Sequence, residues 1–454
     1  MIVWPKLPAE IRLAVLEALL QNGCSLASLA TVSREWQALI EPHNFSRIKV
    51  AASRVVDLGS MLQRNRSLVR YIWFCLELQE YDCPECAPED ENTWGLSIAD
   101  NLLIAAAFGD LFSTLSALGS GLFKYLTFEP DLDDASDSSM SSRKQSMLAK
   151  ASVSEPHHGW AAGSRTFYPP DNAIDKVFEE IFDQGPFEDK LQEFQWWHQL
   201  PSVPAVTGLL LRQQNRRRWS PLALRPMFAR LPRLQEIHYE HWREWGDEQQ
   251  QETDDNFRLL FESLSSNRLR RLILFENFDQ TYPASFGRHW DLDPVLIPCS
   301  SVSRAIAKAS LALEHLFASF IVDASNFFNA RELTWTWPNL TWLALTSRLL
   351  APQESPTELD HMLRAAAAAA LKMPNLRTME IWRGETGLAA VFRYQRPEAR
   401  NRPAVITCRG TGELTLRPLV HQAWDAVAPS HDGQGHVVVR ELLDDDAINS
   451  HGMP

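Results

Sequence analysis

The segment WPNLTWLALT, residues 337–346, combines a turn with an apolar strand. Proline and asparagine are typical of turns, and the alternating apolar residues that follow predict a short strand with one face in a core. The segment MPNLRTMEIW, residues 373–382, repeats the same order of residue types. Two copies of one turn-and-strand pattern predict that the chain builds the same local structure more than once.

The same spacing recurs in a looser form, with an apolar residue at the first, fourth and sixth positions of each unit. Five units begin at Leu234, Leu269, Leu313, Leu340 and Leu376, and Val206 opens a sixth candidate unit. Their starts lie 27 to 44 residues apart, whereas leucine-rich repeats prefer about 20–29 residues. The chain therefore carries an irregular version of a repeated strand.

Helical patterns separate the units, over residues 256–264, 300–313 and 359–372, and the last contains six consecutive alanines. Alanine has the highest intrinsic helix propensity. Repeated alternation of strand and helix predicts an irregular, leucine-rich-repeat-like α/β solenoid over residues 166–385, with strands on one face and helices on the other. An ordinary α/β domain with coincidental leucine spacing is the alternative.

The segments before the repeats differ from them in composition. We expect a compact helical unit over residues 1–50 and a mixed helical region over residues 51–130, including a helix at 97–118. Residues 131–165 are rich in serine and aspartate, and they bury too little apolar surface to offset their ordering entropy. They are predicted to form a disordered loop, whose serines are candidate phosphorylation sites.

Beyond the repeats the pattern changes to closely spaced strands. Strands are predicted at residues 391–395, 404–408, 413–417 and 437–440, with a helix over 418–427. Residues 386–443 are thus predicted to form a C-terminal α/β cap, which a solenoid needs over its open end. Residues 444–454 are expected to be a flexible tail.

The net charge and the cysteines limit which partners and which cellular compartment are expected for the chain. The formal net charge of −13 argues against a nucleic-acid partner and against an acidic membrane surface, because both need a basic stripe. No secretory signal and no run of about 18 apolar residues is evident, so no membrane span is predicted. We expect an intracellular protein, cytoplasmic and/or nuclear, in which the six cysteines are free thiols.

No motif of an enzyme is evident in the sequence. The glycine-rich phosphate loop, the nucleophile elbow and the H-E-x-x-H zinc pair are all absent from it. Cys83 and Cys86 have the spacing of half a zinc site, but structural zinc needs four ligands and no second such pair exists. Two reduced thiols are predicted there, with a metal or a redox dithiol as alternatives. We expect no cofactor, no metal and no catalytic residues.

The N-terminal segment LPAEIRLAVLEALLQNGCSLASLATVSREW, residues 7–36, carries more apolar residues than three short helices can bury. Pro8 suits a first helical turn, because that turn leaves its N–H unpaired in any case. Ser33 is a candidate cap for a last helix, which Pro42 is predicted to end. Exposed apolar patches usually mark a partner site. A helical hairpin packed on the rest of the chain is the alternative.

The order of residues in this segment resembles the F-box. The matching residues are Leu7-Pro8-x-Glu10-Ile11, then Leu16, then Leu26-x-x-Leu29-x-x-Val32-Ser33-Arg34-x-Trp36. An F-box followed by a long, repeat-bearing region is similar to the F-box proteins abundant in filamentous fungi. The repeats themselves resemble the leucine-rich class of substrate receptors.

The resemblance implies a partner and a set of contacts. An F-box binds a Skp-family adaptor, which joins a cullin scaffold in an SCF-type E3 ubiquitin ligase. Carried over by position, the residues at or supporting the adaptor face are Leu7, Pro8, Ile11, Leu16, Leu26, Leu29, Val32 and Trp36. The chain is then the subunit that recognises a protein substrate for degradation. The alternatives are an F-box scaffold without a degradation substrate and an unrecognised hydrolase or transferase in the C-terminal region.

A substrate surface is predicted on the strand-lined face and its loops, because aromatic residues and arginine dominate binding hot spots. The candidate contacts are Tyr239, Trp242, Trp245, Trp382 and Arg383. Trp342 lies inside a predicted strand and is expected to fill the core instead.

Overall fold

The computed structural model describes residues 4, 7–21, 28–77, 96–118, 125–131, 160–161, 164–165, 180–182, 185–212, 218–244, 247–264, 268–278, 297–385, 387–397, 402–430, 435–444 and 448. The chain divides into two compact units, Met1–Trp219 with Pro226–Arg233 and Ser220–Arg225 with Leu234–Pro454. Each unit combines helices with strands of a large, mostly parallel sheet. The predicted mixed α/β class is confirmed at this level.

The first unit contains strands β1 (Arg47–Ala51), β2 (Tyr71–Glu77), β3 (Tyr125–Asp131), β4 (Trp160–Ala161), β5 (Ser164–Arg165), β6 (Glu180–Ile181), β7 (Gly208–Leu211) and β8 (Arg218–Trp219). Its helices are α1 (Ala9–Gln21), α2 (Arg34–Asn44), α3 (Val55–Asn65), α4 (Ile98–Ala117) and α5 (Lys190–Gln199), and α6 (Pro221–Ala229) has residues in both units. Strands β1, β2, β3 and β7 pair in that order, all in parallel. Strand β4 pairs with β5, and β6 pairs with β8.

The repeated apolar pattern extends into the first unit, beyond the units predicted from the sequence. Val69, Ile72 and Phe74 follow the same spacing around β2, and all three are buried. The pairing register aligns Ile72 with Leu126 of β3, and Leu126 with Leu209 of β7. The candidate unit that Val206 opens, with Leu209 at its fourth position, is therefore one of a series that begins earlier in the chain.

Helix α4 supplies a large part of the first unit's core. Ser97 and Asp100 close its N-terminus as a capping box, in which Ser97 Oγ accepts from the Asp100 N–H at 3.0 Å. The buried Phe108 ring meets Phe74 of β2 edge to face, with ring centroids 5.8 Å apart. Helix α4 is also long and apolar enough to cross a membrane, although no membrane span is predicted from the sequence, and 39% of its most apolar 18-residue window is buried within the chain.

The second unit contains strands β9 (Glu236–Trp242), β10 (Arg271–Asn277), β11 (His315–Asp323), β12 (Trp342–Thr346), β13 (Thr378–Glu385), β14 (Leu388–Gln395), β15 (Ala404–Gly410) and β16 (His436–Leu442), which pair in this order. Its helices are α7 (Asp247–Leu264), α8 (Ser300–Ala309), α9 (Ala324–Asn329), α10 (Pro356–Ala370) and α11 (Pro418–Ser430). Strands β9 to β13 are parallel, β14 is antiparallel to both neighbours, and β16 is parallel to β15. The three predicted helices between the repeats are confirmed, although α7 begins earlier than expected.

The predicted repeat units occupy equivalent positions in this sheet. Their fourth positions form one row across the pairing register, and their sixth positions form a second. The first row is Ile237, Leu272, Leu316, Leu343 and Met379, and the second is Tyr239, Leu274, Ala318, Leu345 and Ile381, all buried. Burying one such aliphatic side chain stabilises the fold by roughly 1.5–3 kcal/mol, so these two buried rows contribute strongly to cohesion.

The turns before the strands link neighbouring units. The Glu314 carbonyl accepts from the N–H of Thr341 at 2.8 Å. The turn asparagine of the next unit adds a side-chain bond, because Asn375 Nδ2 donates to the Pro338 carbonyl at 2.6 Å. The Pro-Asn-Leu turns therefore help to fix the register that places the leucines in rows.

The C-terminal segment differs from the prediction in one strand. Residues 413–417 form no strand, and the chain passes from β15 to α11 without one. Gly410, at the end of β15, has to lack a side chain, because a Cβ there would lie 2.6 Å from the Ala389 carbonyl oxygen. The other three predicted strands are confirmed as parts of β14, β15 and β16.

The structure describes only part of three further predicted features: the disordered loop, the cysteines and the C-terminal tail. Strands β4 and β5 fall within residues 131–165, predicted to be a disordered loop, most of which lies outside the described residues. Cys83 and Cys86 also lie outside them, and the cysteines that the structure describes are free thiols. In the expected tail, the Ile448 carbonyl accepts from the Gly387 N–H at 3.0 Å and the Ile448 side chain is buried, so this position is anchored.

Leu343 tests the importance of the buried rows, because it is fully buried in the first of them. Replacing it by alanine leaves a cavity, so the free energy of unfolding of the second unit should fall by about 2–5 kcal/mol in a denaturant titration. Leu333→Ala is the matched control: Leu333 is 88% exposed, and its loss should change that free energy by less than about 0.5 kcal/mol. Equal effects of the two substitutions would contradict the assignment of Leu343 to the core.

Candidate functional site

The N-terminal segment contains helices α1 and α2 with a turn of 3₁₀ helix, Leu29–Thr31, between them. Helix α1 begins directly after Pro8, whose carbonyl accepts from the Ile11 N–H at 3.1 Å. Ser33 caps α2 as predicted, because its Oγ accepts from the Trp36 N–H at 3.3 Å. The local signals of the sequence therefore set where both helices begin.

Helix α2 extends beyond its predicted end. Pro42 lies inside the helix, which runs to Asn44, and the Phe45 N–H bonds to the Glu41 carbonyl at 2.9 Å. Proline removes one N–H from the helix, but the bond between Phe45 and Glu41 closes the last turn around it. The predicted end of the helix at Pro42 is therefore wrong.

A small apolar cluster holds α1 and α2 together. Ile40 is buried at its centre. The partly buried side chains packed against it are Trp4, Leu19, Leu29, Ala30, Trp36 and Leu39. The Trp4 and Trp36 rings lie with their centroids 5.0 Å apart. A cluster centred on one buried isoleucine is a small interior for two helices.

A polar contact adds to this cluster. Glu35 Oε2 accepts from Arg12 Nη1 at 2.8 Å and from Trp4 Nε1 at 3.1 Å. One carboxylate oxygen thus joins α1, α2 and Trp4, which precedes them. Both side chains of the ion pair are partly exposed, so solvent screens the attraction between them. Polar and apolar contacts together fix the relative position of the two helices.

An apolar face on the same segment remains exposed to solvent. Ile11, Leu13 and Val15 of α1 are 49%, 42% and 40% exposed, and Val32 before α2 is 61% exposed. We call Ile11, Val15 and Val32 the N-terminal apolar face. Ile11 and Val15 are four residues apart and therefore lie on the same side of the helix, whereas Leu13 points to a different side. Exposed apolar patches mark interaction sites on proteins.

The residues carried over from the F-box fall into different environments. The exposed ones are Pro8, Ile11 and Val32, and the half-buried ones are Leu7, Leu29 and Trp36. Leu16 belongs to α1, but its side chain lies outside the described residues, as does the whole of Leu26. The structure adds Leu13 and Val15 to the exposed set, and only their place on the same helix as Ile11 marks them in the sequence.

In the second unit the predicted substrate contacts fall on different faces of the sheet. Tyr239 is buried against Phe257 of α7, with ring centroids 5.9 Å apart, which removes it from the predicted contact surface. Trp242 and Trp382 are half-buried on the opposite side, which we call the outer face. Trp245 lies outside the described residues. Alternation along a strand separates these residues, because neighbouring side chains point to opposite faces.

Trp382 belongs to an aromatic cluster that the sequence pattern did not indicate. Its ring meets Phe320 edge to face at 5.3 Å, and Phe320 meets Phe275 of β10 in the same way at 5.5 Å. Arg383, the next predicted contact, donates from Nη2 to Glu385 Oε2 at 3.0 Å. The two candidates on β13 are thus held by neighbours, the first through aromatic contacts and the second through an ion pair.

An irregularity in β11 places Phe320 in this cluster. The pairing of β11 with β12 shifts between Ala318 and Asp323, and Phe320 there has a φ of +64°. A positive φ is unusual for a bulky residue and needs support from its surroundings. The Thr346 hydroxyl gives that support by accepting from the Phe320 N–H at 2.8 Å and donating to the Val322 carbonyl at 3.0 Å.

Trp342 lies on the outer face as well. Its side chain is 38% exposed, and its ring centroid is 5.6 Å from that of Phe317. Because Leu343 belongs to a buried row, the residue before it has to point to the other side of the sheet. The prediction that Trp342 fills the core is therefore wrong.

A buried polar cluster lies where β9 and β10 end, the edge at which open α/β sheets usually bind ligands. Glu276 Oε2 is 3.3 Å from Arg243 Nη1, and Glu276 Oε1 is 3.3 Å from His241 Nε2. Gln250 Nε2 donates to Asp254 Oδ1 at 2.9 Å and to Glu276 Oε1 at 3.3 Å. The side chains of His241 and Glu276 are only 2% exposed, so these groups act mainly on one another.

The two carboxylates of this cluster have pKa values shifted in opposite directions. Burial alone would raise the pKa of Glu276, but Arg243 and His241 outweigh it and lower the pKa below its ordinary value. Burial raises the pKa of Asp254 to about 6, and the negative charge of Glu276 adds to the rise. Asp254 is therefore the carboxylate whose ionisation destabilises the folded state.

Asp254→Asn tests this conclusion. The pKa of Asp254 is higher in the folded state than in the unfolded chain, so its contribution to stability falls as pH rises from about 4 to 6. The substitution should therefore raise the free energy of unfolding by about 1–3 kcal/mol at pH 7.5, and the gain should vanish below about pH 4. Chemical denaturation at several pH values measures both effects.

Asp255→Asn is the matched control for that experiment. Asp255 is the next residue of α7 and is largely exposed, paired with Arg258 at 3.9 Å. Its substitution should leave the pH dependence of stability unchanged, because an exposed ion pair contributes little. A stability profile of Asp254→Asn that runs parallel to the wild-type profile would show that Asp254 does not titrate near pH 6.

Part of the second unit matches a known protein family. Residues 263–453 match the model of a family of unknown function, DUF6546. The match begins within α7 and covers strands β10 to β16, which is less than half of the chain. No curated protein matches the chain.

Proposed function

We propose that this chain is an F-box protein, the substrate-recognition subunit of an SCF-type E3 ubiquitin ligase. The N-terminal apolar face binds a Skp-family adaptor, and the adaptor joins the chain to a cullin. The observation that carries the proposal is the exposure of Ile11 and Val32, two positions of the F-box pattern whose apolar side chains the chain itself leaves uncovered. Their exposure fits a surface that a second polypeptide covers.

The energetics of the segment support the same proposal. The cluster around Ile40 gives α1 and α2 a small shared interior, while four apolar side chains remain in contact with water. Removing apolar surface from water contributes about 25 cal/mol per Å². A partner that covers the N-terminal apolar face therefore gains binding free energy, and it stabilises the two helices at the same time.

We further propose that residues 166–385 form an irregular leucine-rich-repeat-like solenoid, which residues 386–443 cap. The rows of buried side chains across β9 to β13 and the alternation of strand and helix support this part of the proposal. The outer face, with the aromatic cluster around Phe320 and Trp382, holds a protein substrate. Ubiquitin transfer takes place on other subunits, and this chain contributes proximity by raising the effective concentration of the substrate.

Single charges placed on the N-terminal apolar face test adaptor binding. Ile11→Asp and Val32→Asp should each weaken binding to a purified Skp-family adaptor by about 30-fold or more, because each puts an unpaired carboxylate into an apolar interface. Calorimetry with the full chain measures the affinity. The melting temperature should stay near the wild-type value, because both side chains are exposed in the free chain.

Val56→Asp is the matched control. Val56 lies on α3, is 75% exposed and is not part of the N-terminal apolar face, so its substitution should leave adaptor binding unchanged. Adaptor affinity that survives both Ile11→Asp and Val32→Asp would overturn the proposal. A deletion of residues 1–45 should also abolish capture of the adaptor.

The alternative is an F-box scaffold that binds the adaptor without delivering a substrate. The two functions differ in whether ubiquitylation of a second protein depends on this chain. Proteins that associate with the wild-type chain under proteasome inhibition, and that lose their ubiquitin conjugates in cells carrying Ile11→Asp, are the expected result for a substrate receptor. Adaptor binding without any such protein supports the scaffold.

A further inference from the structure

A polar groove lies in the second unit, at the edge where β11, β12 and β13 begin. Its volume is about 510 Å³, within the range of ligand pockets. The residues that line it are Glu314, His315, Asn339, Thr341, Asn375, Arg377 and Arg396. All of these side chains are polar, so the groove suits a polar or charged group rather than an apolar one.

Two arginines that line this groove are cross-strand neighbours. Arg377 precedes β13 and Arg396 follows β14, and these strands are antiparallel with Thr378 opposite Gln395. The Arg396 N–H bonds to the Arg377 carbonyl at 2.8 Å, so the two residues form the next pair of the same ladder. Opposite residues of such a pair have Cβ atoms about 4.5–5.5 Å apart, and two like charges there repel each other. An anion between them relieves that repulsion.

The lining of the groove carries one acidic side chain beside its two arginines. Glu314 is the acidic residue in this lining. Its Oε1 lies 3.4 Å from Arg270 Nη1, and this ion pair partly neutralises its charge. Among the described residues, no acidic side chain forms an ion pair with Arg377. Burial, and to a lesser degree Arg271, lower the pKa of His315, so its ring is neutral at pH 7.

The side chain of Arg396 is also held in place. Arg396 Nη1 donates to the Pro374 carbonyl at 3.3 Å, which fixes its guanidinium at the rim of the groove. Asn375 and Asn339 each donate one amide N–H to a carbonyl of the preceding unit, and among the described residues the second N–H of each amide has no partner. A planar guanidinium presents paired donors that match two oxygens of a phosphate or carboxylate group.

We propose that this groove binds a phosphate monoester through Arg377 and Arg396, with the amides of Asn339 and Asn375 as further donors. The doubly charged phosphate group matches two neighbouring guanidinium groups better than a single carboxylate does. The net charge of −13 repels anions at long range, so the affinity comes from these contacts. The proposal is independent of the adaptor site, which lies in the first unit.

Titration of the full chain with O-phosphoserine in phosphate-free buffer at low salt tests the proposal. Saturable binding in the millimolar range or tighter is expected. Arg377→Ala and Arg396→Ala should each weaken it by roughly tenfold or more, because hydrogen bonds between charged groups are strong. Glu314→Gln should strengthen it, because it removes the negative charge from the groove.

Arg304→Ala is the matched control, since Arg304 is an exposed arginine on α8 that does not line the groove. It removes the same charge and should leave phosphoserine binding unchanged. No saturable binding to the wild-type chain, or equal weakening by Arg304→Ala and Arg377→Ala, would overturn the proposal. Melting temperatures without ligand confirm that each variant is folded.

Two sources of the phosphate group are separated by the same titration. A degenerate phosphoserine peptide library that binds more tightly than free phosphoserine, while its dephosphorylated form does not bind, identifies a phosphorylated protein as the source. Equal binding of inorganic phosphate, free phosphoserine and the peptides identifies a small phosphate ester. Either result supports the site if Arg377→Ala weakens the observed binding, and binding that Arg377→Ala leaves unchanged contradicts it. The Ile11→Asp variant should bind phosphoserine as the wild type does, so failure of the adaptor proposal remains distinguishable.

Discussion

Burial of side chains in register across parallel strands is the constraint on which the second unit depends. A parallel sheet places equivalent residues of successive units side by side, so one apolar position in the repeat becomes a continuous apolar row. Leu343 illustrates this, because it has Leu316 on one side and Met379 on the other. A slip of one residue would turn Leu343 to the outer face and bring Trp342 into the core. The turns with Asn339 and Asn375 oppose such a slip by bonding each unit to the one before.

The same constraint determines how much of the fold the sequence predicts. Leucine and methionine at a fixed spacing reveal the units from Leu234 to Leu376, because few other structures need that spacing. The leucine spacing does not predict the earlier unit around Ile72, because the apolar positions of that unit are valine, isoleucine and phenylalanine. The sequence pattern also does not predict the first half of α7, because its sequence DEQQQETDD has no apolar periodicity. Gln250 in this half is nevertheless buried, and it bonds to Glu276 of β10 at 3.3 Å, a contact that the local sequence does not reveal.

The candidate sites are predictable to different degrees for a related reason. Exposure of Ile11 follows from a local surplus of apolar residues, which the sequence shows directly. The location of Tyr239 and Trp342 depends instead on which strand positions face the helices. An error of one residue in that assignment places a side chain on the wrong face of the sheet. The polar cluster of His241, Glu276 and Asp254 depends on contacts between residues far apart in the sequence. The paired arginines of the groove likewise become neighbours only through the antiparallel pairing of β13 and β14.

The buried rows of the second unit and the N-terminal segment differ in how completely their apolar residues are buried. In the second unit, every residue of the two rows across β9 to β13 is buried within the chain. In the N-terminal segment, Ile40 is surrounded while Ile11 and Val32 are not. Ordering the backbone costs roughly 1–2 kcal/mol per residue, and a small cluster offsets little of that cost for a segment of this length. Under the proposed function, adaptor binding to the N-terminal apolar face would therefore stabilise the segment and form the interface in one step, whereas substrate binding to the second unit would use a surface that is already ordered.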